Sequence, residues 1–365
     1  MNILFLGDIV TGGVLPFKDK TPISMDFARF LEKFDLRIAT LETALGDDIP
    51  FDQVKMQGRG NIIYSPLNSA GLLTEMGINV VSLANNHVFD LGIEGFRSTI
   101  QYLHKHNILF TGAGKNINEA YKPIIIRHQD FTIAIIAACS YDASQVAYVP
   151  VATDTQYGIA PLDENYIYKH ITELKKTHKY VIVLPHWGKE YTAFPLKESV
   201  RIAKKMINCG ADLIVGSHTH MVQPKTKING TEIYFSLGNG LFPDFYINTP
   251  RPIWYPDKNH TDLDSIPVTY NYPFPVTQPL RRNWTESSRI GLAVDAQIDS
   301  TSLSSCGRFT YLTKDNILTL KDSRFPTIKL SIIGHFALSP FYDGGKLLAL
   351  IKRIIRKISK VPRIK

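Results

Sequence analysis

Residues 211–220 read ADLIVGSHTH: an apolar, β-branched run at 213–216 that breaks off onto two histidines two residues apart, His218 and His220. The same plan recurs along the chain. Asp8 follows the run at 3–6, Glu42 follows 36–41, Asn85, Asn86 and His87 follow 80–84, and His186 follows 181–185. In an open α/β sheet the carboxyl ends of the strands line one crevice, so five separate segments are expected to deliver these side chains to one place.

Amphipathic helical stretches alternate with the runs, near residues 24–34, 67–76, 93–106 and 196–209. That alternation predicts an α/β fold. The runs at 123–127 and 132–138 lie close together across a short polar stretch and read as a hairpin, which makes the sheet mixed. Between 243 and 279 eight prolines are interleaved with Tyr, Trp and Phe. Such a stretch holds no central strand or long helix and reads as a packed surface loop. Strand-like runs resume at 290–298, 317–320 and 327–333, so the main domain is expected to span 1–341, with 243–279 as an insertion.

The chain has 365 residues and a net charge of +8, from 41 Lys and Arg against 33 Asp and Glu. Residues 344–365 hold eight of those cations and no acid, so the body before them is neutral. A neutral body argues against a nucleic-acid partner, which would need cations spread over a folded face. Cys139, Cys209 and Cys306 are far apart and form no metal-type pair, so neither a disulfide framework nor a thiolate site is expected. No signal-peptide pattern opens the chain and no uncharged apolar run approaches 18 residues, which points to a cytoplasmic protein without a membrane-spanning helix.

Four histidines, two carboxylates and asparagines at strand ends form a donor set for divalent cations such as Mn, Fe, Zn or Mg. Two such ions side by side need a bridging carboxylate with His nitrogens and Asp or Asn oxygens around it. They polarise a phosphoryl oxygen and acidify a water, and a protonated His supplies the leaving group's proton. Taken singly each motif is weak. Gly7-Asp8 and Asn85-Asn86 are commonly turns, and a histidine before Trp187 is commonly packed or at the surface. Their joint placement carries the site.

Six motifs in order, GDIV (7–10), TLETAL (40–45), SLANNHVFDLG (82–92), PHWGKEY (185–191), GADLIVGSHTHMVQP (210–224) and YFSLGNGLF (234–242), resemble the CapA family of capsule and poly-γ-glutamate biosynthesis. That family is placed in the calcineurin-like metallophosphoesterase superfamily. The resemblance implies a four-layer α-β-β-α sandwich with a dinuclear site at the sheet edges. It implies Asp8 and His220 as ligands of a first metal, Glu42 as the carboxylate bridging both, and Asn86, His186 and His218 as ligands of a second. His87 resembles the superfamily's general acid. Asp90 either orients His87 or caps the helix before Gly92. Trp187 and Glu190 either line the pocket or, respectively, pack and face solvent. The superfamily's Asp-x-His motif has Val10 in place of its histidine, Thr40 stands where the family usually has Asn, and Ser217 where it often has His.

Residues 346–361 place Leu347, Leu348, Leu350, Ile351, Ile354, Ile355, Ile358 and Val361 on one helical face and Lys346, Lys352, Arg353, Arg356, Lys357 and Lys360 on the other. A basic amphipathic helix of this kind lies on an anionic membrane surface or docks by its apolar face on protein. The expectation is a metal-dependent phosphoesterase, peripheral at the inner face of the cell membrane, acting on a phosphoester or anionic polymer substrate. The alternative is a non-catalytic metal-binding component of a membrane-bound polymer synthase.

Overall fold

The structure, a computed structural model, describes residues 1–18, 21–47, 62–140, 149–249, 253–256, 262–273 and 276–321. The run expected at 327–333, the domain end near 341 and the basic helix at 346–361 lie outside the described residues.

Two sheets dominate. The first contains β1 (Asn2–Ile9), β2 (Leu36–Leu41), β3 (Val80–Ser82) and β4 (Leu109–Thr111), all parallel. The second contains β5 (Ile124–His128), β6 (Phe131–Cys139), β7 (Tyr180–His186), β8 (Leu213–Val215), β9 (Lys225–Ile228) and β10 (Thr231–Tyr234), in the order β9-β10-β8-β7-β6-β5. A short strand, β11 (Asn239–Leu241), leaves the second sheet and pairs with the far end of β1. The chain then returns to the first sheet as the antiparallel strands β12 (Ile290–Ile298), β13 (Leu303–Leu312) and β14 (Leu318–Leu320), giving the order β14-β13-β12-β1-β2-β3-β4. Both sheets are mixed, as expected, and β5–β6 is the expected hairpin.

Alternation along β6 explains the layering. Ile133, Ile135 and Ala137 join the core shared with β1 and β2, whereas Ala134, Ile136 and Ala138 join a separate core beneath α5 (Glu164–Thr177) and α6 (Lys197–Asn208). Successive strand residues face opposite ways, so one strand serves both layers. On α6, Val200, Ala203, Met206 and Ile207 bury one stripe while lysines occupy the other. Helices α1 (Met25–Leu31), α2 (Gly71–Glu75) and α3 (Gly92–Lys105) contribute Phe27, Phe30, Leu73, Phe96 and Leu103 to the larger core. A short α4 (Ile117–Ala120) completes the helices among the described residues. The architecture is the α-β-β-α sandwich.

Sequence reading anticipates neither α5 nor β13. On α5 only Ile167 and Ile171 are buried, one pair four residues apart in a charged segment, so the helical period is barely written. Strand β13 is exposed over much of its length and carries Gly307 in its middle, which masks the period of two. The proline-rich segment forms, with its flank, a small separate sheet of two- and three-residue strands: Phe245–Ile247, Ile253–Trp254, Val268–Thr269 and Leu280–Arg282. The expectation of a loop without a central strand is thereby corrected: Phe245–Ile247 pairs on both sides, with Ile253–Trp254 and Leu280–Arg282, and the strand is only three residues long, lying between Pro243 and Pro250 rather than across a proline. Cys139, Cys209 and Cys306 are free. No helix among the described residues is long and apolar enough to cross a membrane.

Candidate metal centre

The expected residues lie at or just beyond the carboxyl ends of their strands. Asp8 is fully buried on β1, opposite Asn239 of β11. Gly7 permits this, because a side chain there would place Cβ 1.9 Å from the Gly238 carbonyl oxygen. That carbonyl accepts from the Asp8 backbone N–H at 3.1 Å. Glu42, also fully buried, follows β2, its backbone N–H donating to Ile9. After β3, the Asn85 side chain donates to the Leu41 carbonyl and accepts from the backbone N–H groups of His87 and Val88. The turn so formed presents Asn86 and His87.

The second sheet supplies the nitrogens. Around His186 Nε2 lie Asn86 Oδ1 at 2.9 Å, His218 Nδ1 at 3.0 Å and Glu42 Oε1 at 3.5 Å. His220 Nδ1 stands 3.8 Å from Glu42 Oε2 and 3.9 Å from Asp8 Oδ2. Two donor triads result, Glu42–His186–His218 and Asp8–Glu42–His220, and they share Glu42. His218 and His220 reach these places with φ of 94° and 52°. Left-handed backbone at two non-glycine residues in one turn is strain of the kind that surrounding structure must hold in place.

The chemistry of the set fits divalent cations. Asp8 Oδ1 and both Glu42 carboxylate oxygens are buried and have no hydrogen-bond partner. Buried charge without a partner costs several kcal/mol, and a cation is the partner that these oxygens lack. Burial first, and then the charges of Asp8, Glu190 and Asp90, hold Glu42 well above the usual carboxylate range. Burial likewise pushes the Asp8 carboxyl up to about 7. It forces His186 well below the usual imidazole range, with help from its histidine neighbours, and takes His220 down to about 4. Burial thus favours the neutral, metal-donating form of His186 and His220.

The model of the family described as bacterial capsule synthesis protein PGA_cap matches residues 2–244, the span that carries this whole cluster. The chain belongs to that family. It is 34% identical over 182 residues to the PGA biosynthesis protein CapA of Bacillus subtilis, covering 50% of this chain and 47% of that protein. To the capsule biosynthesis protein CapA of Bacillus anthracis it is 32% identical over 219 residues, covering 57% and 52%. The aligned part thus spans about half the length of these relatives. Among solved structures, the calcineurin-like phosphoesterase YfkN from Bacillus subtilis overlays with a TM-score of 0.44 at 13% identity, covering 93% of this chain and 99% of that one. A likeness at that level says nothing about activity.

In this PGA_cap chain the remaining expectations divide. Asp90 Oδ2 meets His87 Nδ1 at 2.6 Å and accepts from the Ile63 backbone N–H at 2.6 Å. It does not cap α3, whose first turn has no side-chain cap. Trp187 packs in the core under α5 and α6 and donates to the Phe235 carbonyl, so of its two readings the packed one holds. Glu190 lies close enough to respond to the site's charges: burial alone would raise its carboxyl, yet His220, His218, His87 and Arg282 bring it below its usual value.

Thr40 and Ser217, the two departures from the family pattern, act together. The Thr40 hydroxyl donates to Ser217 Oγ at 3.3 Å, and Ser217 Oγ lies 2.8 Å from His186 Nδ1, fixing that ring. Val10 is fully buried and contributes no donor. Two participants escape sequence reading. Asn239 meets His220 Nδ1 at 3.0 Å, and the Trp284 ring packs at a tilt against the His220 ring, 5.0 Å between centres. Asn239 sits inside the motif YFSLGNGLF, where its polar side chain between glycines was the available signal.

Proposed function

We propose that Asp8, Glu42, Asn86, His186, His218 and His220 hold a pair of divalent cations sharing Glu42, and that the chain hydrolyses a phosphoester or phosphoanhydride bond during the making of an extracellular polymer such as capsule or polyglutamate. The observation that carries this reading is the pair of donor triads meeting at one buried, unpartnered carboxylate. Cations bound there supply Lewis-acid polarisation of a phosphoryl oxygen and a water acidic enough to attack near neutral pH. Asp90 engages His87 Nδ1, which directs the opposite nitrogen, Nε2, to the leaving group. As water adds to phosphorus and the P–O bond to the leaving group breaks, His87 donates its proton to the departing oxygen. Assay with Mn²⁺ against chromogenic phosphodiesters and monoesters tests the reading. Wild type turns over, and Glu42→Ala and His87→Ala do not; inactive wild type, or both variants unchanged, refutes it.

A second reading, a non-catalytic metal-binding component of a membrane-bound polymer synthase, draws on Val10, which leaves the Asp8–Glu42–His220 triad one donor poorer than the superfamily pattern. It predicts metal uptake with no turnover in the same assay. Under either reading we propose a location at the inner face of the cell membrane through residues 346–361, on their charge pattern alone. Deleting 344–365 then abolishes co-sedimentation with anionic vesicles; retained sedimentation counts against it.

A further inference from the structure

Nine buried side-chain polar atoms among the described residues have no hydrogen-bond partner, and their distribution is uneven. Three belong to Asp8 and Glu42. Four belong to one tripeptide, Arg281-Arg282-Asn283, at the end of the small sheet. Arg282 is the sharpest case. It is 4% exposed, its Nε and Nη1 are unpartnered, and no ion pair involving it occurs among the described residues. Among the described residues its side chain makes one hydrogen bond, from Nη2 to the Tyr191 hydroxyl at 3.2 Å.

The guanidinium is held in plane by aromatic faces. Its carbon lies 3.9 Å from the centre of the Trp284 ring, 5.6 Å from Phe245 and 5.8 Å from Tyr191. Trp284 and Tyr191 in turn pack against His220, at 5.0 and 5.7 Å between rings. The cation is thus one aromatic ring away from the metal centre. Stacking offsets part of the cost of burial but satisfies no N–H. A planar fork with open donors is suited to two oxygens of a phosphate or carboxylate. Tyr191 lies over it and is 48% exposed, so this side chain reaches from the guanidinium to solvent.

We infer that Arg282, uncovered by movement of Tyr191, binds an oxyanion of the substrate beyond the reacting phosphoryl group, so that the site selects an extended polyanion over a compact monoester. The inference rests on the phosphoesterase reading and specifies its substrate class. Mn²⁺-loaded wild type, R282Q, R282K and Y191F are titrated calorimetrically with inorganic phosphate and with tripolyphosphate. Metal content, thermal stability and steady-state kinetics on a chromogenic phosphodiester are followed alongside.

In R282Q, loss of charge-assisted hydrogen bonds weakens tripolyphosphate at least about tenfold and spares phosphate and metal content. R282K, which keeps the stem and the charge but not the fork, falls between R282Q and wild type, and Y191F stays within about threefold of wild type. KM rises in R282Q more than kcat falls, the split expected of a binding residue. Wild-type affinity and KM in both R282Q and R282K overturn the inference, as does wild type binding neither anion. The two proposals fail separately. Wild type without turnover whose tripolyphosphate binding still depends on Arg282 removes hydrolysis alone; wild type that turns over with R282Q unchanged removes the role of the arginine alone.

Discussion

His87 and Asp90 divide one task between chemistry and support. His87 touches the reacting group in the proposed reaction, so His87→Ala is expected to lower kcat by about 10²–10⁴-fold while metal content stays at the wild-type level. Asp90 also accepts the Ile63 N–H, so Asp90→Ala leaves a buried donor open and costs a further ~1–3 kcal/mol in denaturant unfolding that His87→Ala does not. Equal stability of the two variants would contradict this division. Protonation at the centre has a definite sign. Asp8 is raised from 3.8 to about 7 in the metal-free fold, so its contribution to stability is complete below 3.8 and is lost as pH rises through about 7. Metal binding runs the other way, since it displaces that proton. Mn²⁺ affinity should therefore fall as pH drops from 8 to 6, with proton release per ion larger at pH 6. Titration in two buffers of different ionisation enthalpy measures both, and pH-independent affinity would refute the assignment.

At the scale of elements, the crossing of β1 with the segment at Gly238 is the least forgiving point. Gly7→Ala would drive Cβ into the Gly238 backbone oxygen, which no rotamer change relieves. The expected cost is about 1–3 kcal/mol, and Asp8 and Asn239 would part, lowering metal occupancy along with stability. Normal occupancy in a stable Gly7→Ala variant would show that β11 yields more easily than its contacts imply. Here it is plain why the centre was legible before the fold was complete. Asp8, Glu42, His186 and His218 each end a strongly apolar strand, and the strand itself announces where its polar end goes. Asn239 and Trp284 lie in short strands and loops whose partners are set by tertiary contact, so no local period marks them. Helix α5 was hidden for the converse reason: two isoleucines suffice to seat it, too few to write a pattern.

Across the whole molecule, the two triads take oxygens from the first sheet and nitrogens from the second, so bound cations would tie the sheets together. A ligand at 100 times its Kd stabilises by about 2.7 kcal/mol, which for a chain of this size raises Tm on the order of 5 °C. Saturating Mn²⁺ is expected to produce that rise in wild type and none in Glu42→Gln. A Tm indifferent to Mn²⁺ in wild type would mean that the sandwich does not depend on the centre. The arrangement also bears on how the protein is made. Strand β1, which carries Asp8, is flanked by β12, with Asn2 opposite Gln297 and the Met1 amino group bonded to the Ile298 carbonyl. During synthesis β1 leaves the ribosome almost 300 residues before that partner and must wait with an apolar edge unpaired. The nascent chain, rather than the folded protein, is thus the species most in need of a chaperone.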